Sequence, residues 1–266
     1  MARAPLVRPT DAPPGAHQTD AGAPTPSPAP EELAVPEARS DVPRHVAIIM
    51  DGNRRWARGR GASELEGHAA GVEAIREILR HAVRRGIPVL TLYAFSRENW
   101  ARTDEEVVGL FGLLEQAIRS ETAELRAQGV RVRLLGRLDE LPPATRASIE
   151  SALAATADGG RLVLNIAFNY AGRTELVDAV REIVRAGIDP EAIDEATIST
   201  ALYTAGLPDP DLVIRTGGEQ RLSNFLIWQS AYAELLTSET LWPDFGPGDL
   251  DAALAEFANR TRRFGR

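Results

Sequence analysis

The sequence predicts an α/β domain whose sheet is mostly parallel and covered by helices on both faces. Three observations carry this reading. From His45 onward, short runs rich in β-branched residues alternate with longer stretches in which apolar residues recur at helical spacing. The strand-like runs are apolar almost throughout, as strands buried on two faces are. The connections between successive elements are short, which fits repeated β-α-β units.

The elements follow in order. "HVAIIM" is the first strand, and a helix over about 66–85 follows, where Val72, Ile75, Ile78, Leu79 and Val83 fall on one face. "PVLTLYAF" is the second strand. The next helix, about Asp104 to Gln128, has a wide apolar set that includes Val107, Val108, Leu110, Phe111, Leu113, Leu114 and Ile118. Then come "VRVRLLG", a helix from about Pro143, "RLVLNIAF", a helix from near Arg173, "DLVIRT", "AELLT", and a last helix after Gly248. There is no internal repeat and no second linker, so residues 44–266 are expected to form one domain.

The first 43 residues differ. They hold 10 of the 18 prolines, centred on "APTPSPAP", with no hydrophobic periodicity. That composition predicts an extended, unstructured leader. It lacks an apolar h-region, and Asp11, Asp20, Glu31 and Glu32 argue against an acid-poor transit peptide, so a cytoplasmic protein is expected.

Composition narrows the chemistry further. With no cysteine, disulfides and thiolate metal sites are excluded, and any metal must be held by oxygen or imidazole. The net charge of −8 lacks the footprint of a nucleic-acid binder. No apolar run approaches a membrane span, so membrane contact could only be peripheral.

In open parallel sheets, ligands bind beyond the carboxyl ends of the strands. The unusual residues fall there repeatedly: "MDGNRRW" after the first strand, "FSRENWAR" after the second, "NYAGR" after "NIAF", and "GGEQRLSN" after "DLVIRT". Taken singly, "DGN" reads as a strand-ending turn and "RTGG" as a loop. Together they gather one prominent Asp, several arginines, Ser96, Ser223, Asn53, Asn99 and glycines. Glycine turns and helix N-termini cradle phosphate oxygens, and arginine supplies forked donors. An Asp among arginines would repel phosphate, but it becomes sensible if Asp51 holds Mg²⁺. A nucleotide-binding domain would share this chemistry, although neither the GxGxxG nor the GxxxxGK[ST] loop occurs.

These residues resemble the cis-prenyltransferases, typified by undecaprenyl diphosphate synthase. The matching stretches are "HVAIIMDGNRRWA", "GHAAG", "LTLYAFSRENWAR", "NIAFNYAGR", "DLVIRTGGEQRLSNFLIWQSAYAEL" and "LWPDF…RTRRFG", from about His45 to Gly265. The resemblance implies a single α/β domain with a six-stranded, mostly parallel sheet, a homodimer, and Mg²⁺-dependent condensation of isopentenyl diphosphate with an allylic prenyl diphosphate. It implies that Asp51 is the metal residue, with Glu234 a second metal-linked acid. Gly52, Asn53, Arg54 and Arg55, with Trp56 beside them, would form the allylic diphosphate cradle, flanked by His68 and Arg102. Ser96 and Asn99 would lie near the reacting carbon. Arg215, Arg221 and Ser223 would take isopentenyl diphosphate. Arg263 and Gly265 match a C-terminal Arg-x-Gly that reaches the partner subunit's site.

The growing chain needs an apolar tunnel, expected between the sheet and the faces of the helices at 66–85 and 104–128. Phe111, Leu113 and Leu114 serve equally as lining or as core. Ala94, small and next to the site, and the bulky Phe111 point in opposite directions for product length. A long lipid product would imply peripheral membrane contact.

Two positions depart from the bacterial undecaprenyl synthases. Arg54 stands where those have glycine, and Glu64 where an arginine contacts the allylic diphosphate. Glu64 would repel substrate unless it points away or pairs with Arg58 or Arg60, or it simply starts the helix, where acids suit the dipole. The alternatives to chain elongation are a short-chain or branched-product synthase, or a noncatalytic partner subunit. The last sits poorly with the presence of Asp51, Arg55, Arg215 and Arg221.

Overall fold

The computed structural model describes residues 35–37 and 42–260. Most of the 1–43 leader, Arg263 and Gly265 lie outside the described residues. Six parallel strands form one sheet: β1 (His45–Ile49), β2 (Val89–Ser96), β3 (Val130–Leu135), β4 (Leu162–Tyr170), β5 (Leu212–Thr216) and β6 (Glu234–Ser238), ordered β3-β4-β2-β1-β5-β6. The sheet is thus wholly parallel. The chain moves from β1 toward the β3 edge, then returns to place β5 on β1's other side, so strand order reverses between β1 and β5. Such a crevice is where open α/β sheets bind ligands.

Among the described residues seven α-helices accompany the strands, six between strands and the last after β6: α1 (Asn53–Gly59), α2 (Glu64–Arg85), α3 (Asp104–Ala127), α4 (Pro143–Ala155), α5 (Gly172–Arg185), α6 (Glu195–Ala201) and α7 (Pro247–Asn259). Alternate β1 residues serve opposite faces. Val46 and Ile48 pack with Ile78, Leu79 and Ala82 of α2 and Leu250 and Leu254 of α7. Ala47 and Ile49 pack with Val213, Tyr170, Phe225 and Leu226 on the other face. A third cluster joins Phe95, Trp100, Phe111 and Phe168 to Ile149 of α4.

The long helices begin where their caps dictate. Ser63 and Glu66 close a capping box at the start of α2, and Thr103 accepts from the Glu106 N–H at the start of α3. These caps place α2 two residues earlier than periodicity alone does. α2 and α3 lie side by side and parallel, with Arg80 paired to Glu124 and Arg76 to Glu121 across the seam. The short α1 and α6 were not expected; seven residues are too few for periodicity to register.

One buried polar chain runs between neighbouring strands β1 and β2. The fully buried His45 donates from Nδ1 to the Pro208 carbonyl at 2.7 Å, and its Nε2 lies 2.7 Å from the Thr91 hydroxyl. Burial lowers the His45 pKa to about 4, against the opposing effects of the Pro208 carbonyl and Asp211. A histidine depressed from 6.5 to about 4 contributes stability that is whole above pH 6.5 and is lost as pH falls toward 4. The expected loss is about 3 kcal/mol. Urea unfolding measured across that window should show it, with a shallower decline in His45→Asn despite that variant's lower stability at neutral pH.

Candidate active site

The site is built at the β1–β5 crevice. β1 ends at Ile49, and the chain turns through Gly52 in a left-handed conformation (φ 117°), where a Cβ would strike Leu241 at 2.9 Å. That turn opens α1 immediately, so the amides of Asn53, Arg54 and Arg55 form a helix's first turn, which leaves backbone donors unsatisfied by the helix itself. Asp51 is held by its own backbone. Its N–H donates to the Thr216 hydroxyl at 2.9 Å, and that hydroxyl donates to the Asp51 carbonyl at 2.7 Å.

The Asp51 carboxylate is the centre of a charge cluster. Oδ2 accepts from Arg215 at 2.7 Å, and Oδ1 lies 3.3 Å from the Arg55 guanidinium. Arg55 also donates to the Gly217 carbonyl at 2.6 Å. Arg215 is buried, and its other amino group donates to the Arg221 carbonyl at 2.6 Å and to Ser223 Oγ at 2.8 Å. Arg215 therefore organises the loop after β5. In that loop Ser223, Asn224 and Leu226 all have positive φ, and the buried Phe225 and Leu226 side chains anchor it. Such backbone persists only where its surroundings over-determine it. Arg221 turns outward to Glu219.

Asn53 Oδ1 and His68 Nε2 are buried without hydrogen-bond partners, and both residues line the mouth of a cavity. Burial lowers the His68 pKa, reinforced by the nearby Arg102 charge and opposed by Glu106. Arg102 donates to Glu106 at 2.5 Å. From this mouth an apolar cavity of about 200 Å³ runs between the sheet and α2, α3 and α4. Leu113, Leu114, Ala117 and Ala94 line it, whereas Phe111 is absent from its wall and is packed into the aromatic cluster.

Ser96 and Asn99 cap a short 3₁₀ turn over Arg97–Ala101: the Ser96 N–H donates to Asn99 Oδ1 at 3.0 Å. Sequence reasoning passed over Glu98 between them. Its carboxylate accepts from Ser96 Oγ at 2.5 Å and from Asn224 Nδ2 at 2.7 Å, joining the ends of β2 and β5. Burial raises the Glu98 pKa, yet the Ser96 and Asn224 hydrogen bonds prevail and hold it below the usual range. Thr216 was passed over too. Its signal was its register one residue beyond Arg215, which pairs with Ile49.

Two expected members stand elsewhere. Trp56 turns away from the cradle: its indole N–H donates to Asp244 at 2.8 Å and Arg60 stacks on its ring at 4.2 Å. Glu234 opens β6 in register with Leu212 and hence with Val46, about 16 Å from Asp51 along the strand direction. There it pairs with Arg260 at 2.9 Å. One chain thus does not join the two acids in one metal site, because β6 enters the sheet at the end remote from the crevice. Glu64 pairs with Arg54 at 2.8 Å, so neither Arg58 nor Arg60 is the partner shown by this contact.

Among the described residues no three His, Asp or Glu side chains converge on a metal site. Asp51 alone, partly exposed beside the Arg55 and Arg215 guanidinium groups, fits Mg²⁺, which takes one or two carboxylates and completes its shell with waters and phosphate oxygens.

Close approach between α1 and α2 holds Asn53 in place. A Cβ on Gly71 would lie 2.4 Å from Asn53 Oδ1 and 3.0 Å from Trp242. Gly71→Ala should therefore cost about 1–3 kcal/mol, read as a lowered thermal midpoint. Gly112→Ala, in an open and exposed position on α3, should stabilise by up to about 1 kcal/mol.

The family model described as "Putative undecaprenyl diphosphate synthase" matches residues 49–265. An isoprenyl transferase of Heliobacterium mobile is 50% identical over 228 residues, covering 84% of this chain and 88% of that relative. One from Brucella abortus is 54% identical over 227 residues, covering 84% and 89%. The lavandulyl diphosphate synthase of Lavandula x intermedia, solved in complex with dimethylallyl diphosphate, matches with a TM-score of 0.83 at 38% identity, covering 86% of this chain and 100% of that one. A "probable undecaprenyl diphosphate synthase" from Campylobacter jejuni matches with a TM-score of 0.73 at 31% identity, covering 84% and 99%. The arginine-and-aspartate crevice beside an apolar cavity thus sits in a chain that belongs to the undecaprenyl diphosphate synthase family of isoprenyl transferases.

Proposed function

We propose that this prenyltransferase uses Mg²⁺ to condense isopentenyl diphosphate with an allylic diphosphate, giving a Z-polyprenyl diphosphate of the undecaprenyl type. One observation carries the reading: the apolar cavity begins at the polar cradle of Asn53 and His68 and continues between α2 and α3. A diphosphate head at the cradle would leave its hydrocarbon tail in that cavity.

The residues divide the work. Asn53, Arg54, Arg55 and the first-turn amides of α1 bind the allylic diphosphate, with His68 and Arg102 beside them. Arg215, Arg221 and Ser223 bind isopentenyl diphosphate across the crevice. Mg²⁺ held by Asp51 would neutralise charge on the diphosphate oxygens and so ease its departure. The allylic C–O bond breaks and the electron pair leaves with diphosphate. The isopentenyl double bond then attacks the allylic carbon, and a proton is lost to the departing diphosphate or to a relay including Asn99. The nucleophile is only an alkene, so holding the two substrates in register supplies much of the rate. Ser96 and Asn99, fixed by the turn that Glu98 ties to Asn224, are suited to that positioning.

We place a homodimer at the β6 edge, where Tyr232 and Leu235 are exposed and Glu234 and Arg260 lie close by. Arg263 and Gly265 follow that region in the chain. Among the described residues no helix is long and apolar enough to cross a membrane, in keeping with a cytoplasmic enzyme that meets membranes only through its product.

A short or branched product is the second reading, supported by the likeness to the lavandulyl synthase. Mass spectrometry of products from isopentenyl diphosphate with dimethylallyl, geranyl or farnesyl diphosphate separates the two. A ladder up to undecaprenyl length is expected, and a single short or branched product would overturn it. Asp51→Ala should keep the fold by circular dichroism and lose at least 100-fold in turnover, the scale of removing one group that stabilises developing charge. Chelation with EDTA should abolish turnover reversibly. Ala117→Phe, which fills the middle of the cavity wall, should shorten the product distribution without abolishing the first condensation.

A further inference from the structure

The cations around the cradle are already held by carboxylates: Arg55 and Arg215 by Asp51, Arg102 by Glu106, and Arg54 by Glu64. These pairs are not equivalent. The Arg215 side chain is 8% exposed and ties down a loop, whereas Arg54 and Glu64 are 46% and 37% exposed. Exposed pairs contribute little and open readily.

Glu64 is also more than a helix-starting acid. The start of α2 is capped without it, because Ser63 and Glu66 form the reciprocal box, with the Ser63 N–H donating to Glu66 at 2.8 Å. The Glu64 carboxylate instead crosses from α2 to the second residue of α1, 2.8 Å from Arg54 Nε. Both charges act on the largely buried His68 ring, Glu64 raising and Arg54 lowering its proton affinity, so the pair lies within electrostatic reach of the cradle's interior.

We propose that Glu64 sets the affinity of the cradle for a diphosphate by holding Arg54 in reserve, the guanidinium leaving Glu64 for the anion when it binds. This rests on the reading of the cradle as the allylic diphosphate site. Glu64 acts twice in the same direction: it competes for Arg54, and its own charge repels the ligand. The cradle is thereby tuned below its full strength, which lets the diphosphate released by each condensation leave it, so that the product, carrying the isopentenyl unit's diphosphate, can move in for the next addition.

The test is calorimetric titration of the full chain with inorganic pyrophosphate in the presence of Mg²⁺. Glu64→Gln should bind about five-fold more tightly and Arg54→Gln about five-fold more weakly, the change expected of one exposed charge pair. The double variant R54Q/E64Q should fall between them. Both side chains are exposed, so neither change empties the core. The affinity of Glu64→Gln should also decline more steeply with added salt, a readout that a purely structural role for Glu64 would leave unmoved. Equal or weaker binding by Glu64→Gln, with binding by the unaltered chain intact, overturns the proposal alone. No binding by any of the four proteins overturns the diphosphate reading of the cradle, and the proposal with it.

Discussion

The contact between Asp51 and Arg215 is the constraint on which the rest of the site depends. It joins the ends of two neighbouring strands at the point where strand order reverses. A buried guanidinium is costly unless its charge is met and its donors are used. Arg215 meets that condition through Asp51, the Arg221 carbonyl and Ser223, three partners on two separate loops. The loop after β5 must therefore take the strained path that delivers them. Phe225 and Leu226 fix that path from the apolar side, while Asn224 ties it to Glu98 and to the Arg173 N–H at the start of α5. The crevice is in this sense prepared before any ligand arrives.

How much of this could be read from the chain depended on the range of the interaction. Strands and long helices announce themselves through local periodicity, and every strand and each of the long helices lies within about two residues of where the pattern puts it. The placement of Asp51, Arg215 and Ser223 at strand ends was legible for the same reason. Pairings across the sheet were not. Glu234 follows an apolar stretch in the same way as residues that do reach the crevice, and only the register of β6 shows that it opens its strand at the remote end. Trp56 stands beside three cradle residues in sequence, but a helix turns successive side chains about its axis and carries its ring toward Asp244. The partner of Glu64 depended on the angle between α1 and α2, which no spacing in the sequence encodes.

The seam between α2 and α3 shows a second economy. Two long parallel helices over a sheet would ordinarily close on one another, yet here the charged pairs of Arg76 with Glu121 and Arg80 with Glu124 sit across a cavity lined by leucines and alanines. A hydrocarbon entering this cavity of about 200 Å³ finds apolar walls to pack against, a gain on the order of 5 kcal/mol at about 24 cal/mol per Å³ filled. Phe111 shows that large side chains were available to this helix. Its ring is spent on the aromatic cluster with Phe95, Trp100 and Phe168, one turn from residues that border the void.

That balance also bears on how elongation could end. Each added five-carbon unit buried in such a cavity gains about 4 kcal/mol, at about 0.8 kcal/mol per methylene-sized group. Affinity alone would then favour every further addition. Termination must come from shape or from the polar end. Where α3 approaches β3, the cavity is bordered by Leu125, Gln128 and Val132, and a chain that reaches them meets Leu125 and Val132, which are already packed against the core. Further growth must displace that packing or push the diphosphate head out of its cradle. On the proposed reading the apolar end would set a length, and the charges at the mouth would set how firmly the head resists being pushed. Product length on that reading is a property of both ends of the cavity, and substitutions at either end should change it.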